Sequence, residues 1–131
     1  MQKTVSGLVY FLAETHYPSK GAVLVVTIVG PLVKGNVSIF QDCVEAILKT
    51  SAKWAVINFR DVSPQIDSAY IPILDSLLNS IRDKPAHVRL SGLHPNLKET
   101  LKSAKVLLSE ELSNNLAEAL QSLPGLNAPG H

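Results

Sequence analysis

The chain is poor in the residues that usually announce chemistry. A single cysteine, Cys43, rules out an internal disulfide and is compatible with a reducing compartment. The four histidines, His16, His87, His94 and His131, lack the spacing to a Cys or carboxylate pair that a metal site needs. Charge of one sign is lacking as well. Lys and Arg number 12 against 11 Asp and Glu, and a net charge of +1 is too weak a field to hold nucleic acid unaided. The longest apolar stretch, Ala22 to Val29, is too short for a transmembrane helix, and the N-terminus lacks the basic-then-apolar order of a secretion signal. These absences predict a cytoplasmic protein without membrane insertion, recognised through a local surface.

Catalytic patterns are missing too. Gly30-Pro31-Leu32-Val33-Lys34-Gly35 has glycines and a lysine after a strand but lacks the Gly-Lys-Ser/Thr ending that cradles phosphate and magnesium, so it reads as a turn. No Gly-x-Ser-x-Gly elbow is present, and no histidine lies near Ser68 in sequence to activate it. The chain is read as a non-enzyme with no cofactor and no metal.

What is present is enough apolar material for a core: 46% hydrophobic residues in 131 positions predict one domain over residues 1–123, followed by a flexible tail over 124–131. Leu8 to Leu12 and Val23 to Val29 read as consecutive strands separated by a turn containing Pro18, Ser19 and Gly21. The second is apolar at nearly every position, as a strand covered on both faces must be. Asn36 can cap a helix in which Val37, Phe40, Val44, Ile47 and Leu48 recur, with Cys43 beside the stripe.

Trp54 to Phe59 reads as a third strand ended by the polar segment Arg60 to Pro64, and the next helix carries Ile71, Leu74, Leu77, Leu78 and Ile81 on one face. Val88 to Leu90 is a fourth strand, Pro95 or Asn96 opens a brief helix, and Val106 to Leu108 reads as a fifth strand. A last helix takes Leu112, Leu116, Ala119, Leu120 and Leu123 as its apolar positions. The order predicts an α/β fold: a mixed, mostly parallel sheet of about five strands with about four helices. Lys98, Lys102 and Lys105 on the third helix are explained by a solvated face, with an anion site as the alternative.

Asp67-Ser68 stands before an apolar helix. Either side-chain oxygen can cap the free amides of the first turn. A serine there also suits regulation, because an added phosphate meets the favourable end of the helix while its charge projects toward a partner.

The chain resembles the STAS family, named for sulfate transporters and anti-sigma factor antagonists, from about Val5 to Leu123. The resemblance is carried by a strand ending at Gly30, by Trp54-Ala55-Val56-Ile57-Asn58-Phe59 before Arg60-Asp61-Val62-Ser63, by Ile66-Asp67-Ser68 opening a helix, by Val88-Arg89-Leu90-Ser91-Gly92-Leu93-His94-Pro95, and by Leu116-Ala117-Glu118-Ala119-Leu120. It implies an anti-anti-sigma signalling adaptor in transcription regulation, bound by an anti-sigma factor that is also a serine kinase. Ser68 would be the phosphorylation site, a phosphatase would reverse the switch, and Gly30, Asp67, Ser68, Ala69 and Tyr70 would form the partner-binding surface. The alternative it implies is a scaffold or adaptor, of the stressosome type with a switch kinase or in a lipid-transport complex.

Two departures from the family pattern carry expectations. Tyr70 stands where members often have a glycine, placing a bulky ring where a kinase backbone approaches. Pro72 is expected to shift or distort the helix start.

Overall fold

The computed structural model describes residues 7–17, 21–83 and 86–122. The predicted turn residues Pro18 and Ser19, the apolar position Leu123 and the predicted tail over 124–131 lie outside the described residues. Five strands, β1 (Val9–Tyr17), β2 (Gly21–Leu32), β3 (Trp54–Ile66), β4 (His87–Ser91) and β5 (Leu112–Ser113), form one sheet in the order β1-β2-β3-β4-β5. β1 and β2 pair antiparallel as a hairpin, and every later pair is parallel. Parallel neighbours need a crossover, and the helices α1 (Val37–Leu48), α2 (Tyr70–Arg82) and α3 (Pro95–Ser103) supply it before α4 (Leu116–Ser122) closes the described chain.

The sheet separates two apolar clusters because strand side chains alternate between faces. Leu24, Val26, Ile28, Ile57, Phe59, Val88 and Leu90 meet the stripes of α1, α2 and α3 in the larger cluster. Val23, Trp54 and Val56 point the other way and pack with Ala119 and Leu120 of α4 in the smaller one. Double coverage explains why β2 is apolar along its length.

The expected five-strand, four-helix α/β architecture stands, and several local boundaries move. β2 and β3 run on past Val29 and Phe59, because the register slips between Thr27 and Val29 and again between Gly30 and Leu32, keeping Leu32 paired with Ile66. Gly30 therefore does not end the strand. It sits in the irregular stretch at φ +125°, where a Cβ would come within 2.6 Å of the Gly7 carbonyl oxygen.

The fifth strand is not Val106 to Leu108 but Leu112–Ser113, so Leu112 leaves the last helix, which begins at Leu116. The reason lies in how α3 stops. Lys105 takes φ 61°, its amide donates to the Lys102 carbonyl and the Val106 amide donates to the Leu101 carbonyl, a Schellman turn that buries Val106 beside Leu101. α4 starts where Asn115 Oδ1 accepts the Glu118 amide at 2.8 Å while Glu118 Oε1 accepts the Asn114 amide at 2.8 Å.

Candidate functional site

β2 and β3 end side by side at Leu32 and Ile66, and the Asp67 amide donates to the Leu32 carbonyl at 2.9 Å. The segments that follow, 33–35 and 67–69, are thereby held as neighbours on one rim. Ser68 is exposed there, and its hydroxyl has no hydrogen-bond partner among the described residues. Val33, Lys34 and Gly35 are exposed on the adjoining segment.

Asp67 closes an Asx turn just ahead of α2, its Oδ1 accepting the Ala69 amide at 2.9 Å. The two sequence readings of Asp67-Ser68 are thus divided between the two residues, the aspartate occupied locally and the serine free. Asn36 does not cap α1 through its side chain. Its Nδ2 donates to the Pro31 carbonyl at 3.0 Å and ties the loop to itself.

Tyr70, expected on the partner-facing surface, is instead 0% exposed. Its hydroxyl donates to the Val33 carbonyl at 2.6 Å, and its ring meets Phe40 edge to face at 5.2 Å. Burial, and then the negative charge of Asp67, raise the Tyr70 phenol above its ordinary value, so it stays a hydrogen-bond donor. The ring blocks no approach to Ser68. It is the post on which the rim stands, and it offers a partner no direct contact.

Pro72 produces the expected shift. The Tyr70 and Ile71 amides donate to the Asp67 and Ser68 carbonyls at 3.0 and 3.2 Å, a tight first turn with i to i−3 spacing. The Ser68 carbonyl already has a donor, so the amide hydrogen that proline lacks is not missed. Beyond Ser68, Pro72, Ile73 and Ser76 of α2 and Gln41, Val44 and Glu45 of α1 line an open groove of about 480 Å3.

Of the residues expected to bind a partner, the structure gathers Asp67, Ser68 and Ala69 on the rim, buries Tyr70 beneath it, and leaves Gly30 in the strand irregularity beside Gly7. The sequence reading missed Val33 and the supporting role of Tyr70. A signal for the latter existed: Tyr70 continues the stripe Leu74, Leu77, Leu78, Ile81 one turn toward the N-terminus, which is a core position.

The Ser68 hydroxyl hydrogen-bonds to no side chain among the described residues. Cys43 is buried and its thiol is pushed up to about 12 by that burial, so it stays protonated and inert. Among the described residues no group of three His, Cys, Asp or Glu could hold a metal ion, and no helix is long and apolar enough to cross a membrane.

Fold and rim together define a small α/β module that presents a serine at a helix start. The STAS domain family model matches residues 15–119, and the chain belongs to that family. No curated protein matches it in sequence. Among solved structures, a sulfate transporter family protein from Wolinella succinogenes superposes with TM-score 0.63 at 23% identity over 76% of this chain and 82% of that one. The anti-sigma factor antagonist SpoIIAA in its unphosphorylated form superposes with TM-score 0.60 at 13% identity over 85% of this chain and 93% of that one. SLC26A9 superposes with TM-score 0.65 at 17% identity over 76% of this chain, which spans only 19% of that protein. At these identities the likeness establishes the shared fold.

Proposed function

We propose that this chain is a non-catalytic signalling adaptor of the anti-anti-sigma type, switched by phosphorylation of Ser68. The carrying observation is the free, exposed hydroxyl of Ser68 on a rim fixed from below by Tyr70. An acceptor hydroxyl must enter another protein's active site, which supplies ATP, magnesium and base. A side chain already engaged as a cap would have to break that bond first. The partner class is an anti-sigma factor serine kinase, or a switch kinase of the stressosome type, opposed by a phosphatase. The setting is the cytoplasm, and no enzyme activity, cofactor or nucleic acid is involved.

The docking surface comprises Ser68, Ala69, the exposed Val33 to Gly35 segment and the groove between α1 and α2. A phosphate on Ser68 meets the positive end of α2, which favours the fold by about 0.3–1 kcal/mol. In a complex the same charge would be desolvated against a surface shaped for a hydroxyl, at a cost of several kcal/mol by the usual order of magnitude for a buried unpaired charge. The switch therefore acts on binding and spares folding.

The test uses a cognate anti-sigma factor serine kinase with purified ATP and magnesium. Phosphopeptide mapping should find the label on Ser68, and Ser68→Ala should abolish it. Ser68→Glu should weaken kinase binding at least roughly tenfold while leaving the unfolding midpoint within a few degrees. Labelling that persists in Ser68→Ala, or loss of binding matched by loss of folding, removes Ser68 as the switch. Binding of the kinase without any labelling supports the scaffold reading instead.

A further inference from the structure

β4 and β5 are parallel neighbours whose onward connections leave on opposite faces of the sheet. From β4 the chain enters α3, whose Leu97 and Leu101 belong to the larger core cluster. From β5 it enters α4, whose Ala119 and Leu120 belong to the smaller one. Where adjacent parallel strands send the chain to opposite sides, a crevice opens outside their carboxyl ends, and open α/β sheets bind ligands in such crevices. A cavity of about 190 Å3 lies at this point, lined by Leu93, Lys98, Leu112, Ser113, Asn114 and Glu118.

Its walls carry opposite charges that do not meet. Lys98 stands on the α3 wall and Glu118 on the α4 wall, and the two form no ion pair with each other. The Glu118 carboxylate is held in orientation, since Oε1 accepts the Asn114 amide at 2.8 Å and Oε2 the Asn114 side-chain amide at 3.4 Å. One strand inward, Ser91 is the register partner of Ser113. Ser91 is 0% exposed, and its hydroxyl has no hydrogen-bond partner among the described residues.

We propose that this crevice binds a small zwitterion of the α-amino-acid class, its carboxylate on Lys98 Nζ and its ammonium on the Glu118 carboxylate. Opposite charges separated by a cavity complement a dipolar ligand, because each gains a partner that brings its own counter-charge. The volume lies below the roughly 300 Å3 at which drug-sized sites begin, which excludes a nucleotide and restricts the ligand to a compact metabolite. None of the lining residues belongs to the Ser68 rim, so the titration below reads this site apart from the Ser68 proposal.

The experiment titrates the isotope-labelled full chain with glycine, serine and glutamine, and separately with acetate and ethylammonium, following backbone amide signals by NMR. At least one amino acid should shift the Lys98, Ser113 and Asn114 signals to saturation with Kd of about 1 mM or tighter, and both half-ligands should bind at least roughly tenfold more weakly. Lys98→Met and Glu118→Gln should each weaken the amino acid at least roughly tenfold. Lys98→Met is the decisive variant, because Lys98 has no partner among the described residues whose loss would unsettle the fold. Absence of saturable shifts overturns the proposal, as does acetate binding as tightly as the amino acids or unchanged affinity in Lys98→Met.

Discussion

At the N-terminal end of α2 the solvent-facing serine is left free, and the fixing is done by a buried tyrosine beneath it, by the Asp67 carboxylate and by backbone hydrogen bonds. At the C-terminal end the polar groups are bound to one another. Arg82 donates to Glu111 through Nε at 2.9 Å and through Nη2 at 2.7 Å, and Nη2 also reaches the Val106 carbonyl at 2.9 Å. Glu111 is 5% exposed, and its Oε1 also accepts the Leu108 amide at 3.2 Å. One helix thus has an end that presents a group and an end that anchors the chain. The difference shows how one helix can leave a serine accessible at one end while its other end is tied into the fold.

The largest expected effect tests whether the presenting end rests on Tyr70. Tyr70→Ala removes a fully buried ring and should cost about 4 kcal/mol in urea denaturation, a large share of the roughly 5–15 kcal/mol that holds a domain of this size. Tyr70→Phe keeps the ring and strands the Val33 carbonyl, at about 1–2 kcal/mol. Ser68→Ala should fall within about 0.5 kcal/mol of wild type. A Ser68→Ala variant destabilised as much as Tyr70→Phe would show that the serine is structural and erase the contrast between the two ends.

Much of this was legible in the sequence, and the parts that were not share a cause. The stripes of α1 and α2 and the all-apolar run of β2 span enough residues for their period to be read. Asp67-Ser68 was legible as a helix start by chemistry and as a family feature by resemblance. Val106 to Leu108 looked like a strand because three apolar residues carry no period, and the Schellman turn that claims Val106 depends on Lys105 adopting a left-handed conformation without being glycine. The hydrogen bond from Tyr70 reaches a carbonyl 37 residues away, and Arg82 finds Glu111 29 residues away. Such pairings follow from the sheet order and leave no local trace.

The anchoring end supplies the second test. Glu111→Ala leaves Arg82 without its bidentate partner and the Leu108 amide without its acceptor, and should cost about 3 kcal/mol. The Arg82 side chain is 24% exposed, so water recovers part of the loss and the cost belongs at the lower end of the range for broken buried pairs. Glu111→Gln should cost less, since one oxygen remains to accept. Thermal unfolding of both variants, read beside kinase binding, sharpens the comparison: stability should fall while the affinity of the folded fraction holds. Affinity falling in step with stability would mean that the two ends of α2 are one unit.

The smallest expected effect lies just past the same end, at His87. Its amide donates to the Lys53 carbonyl at 2.7 Å and its ring stacks on Trp54 with centroids 4.7 Å apart and planes 27° apart. Burial against the indole, and then the positive charge of Arg89, lower its pKa from the ordinary 6.5, so the fold favours the neutral ring. The sign follows from proton counting. The unfolded chain takes up the proton more readily, so this contribution is fully present above the unfolded value of 6.5 and is lost as pH falls through the lower folded value. The ring is partly exposed, so solvent screening keeps the effect small. Unfolding midpoints of wild type and His87→Gln, compared from about pH 8 to about pH 5, cancel the carboxylates common to both and isolate the ring. The wild type should lose stability relative to the variant toward the acid side. Fluorescence of Trp54, the chain's one tryptophan, should change over the same interval as the stacked imidazole gains its proton. A difference that runs the other way with pH would mean that the fold holds His87 protonated and that Trp54 acts on it as a cation–π partner.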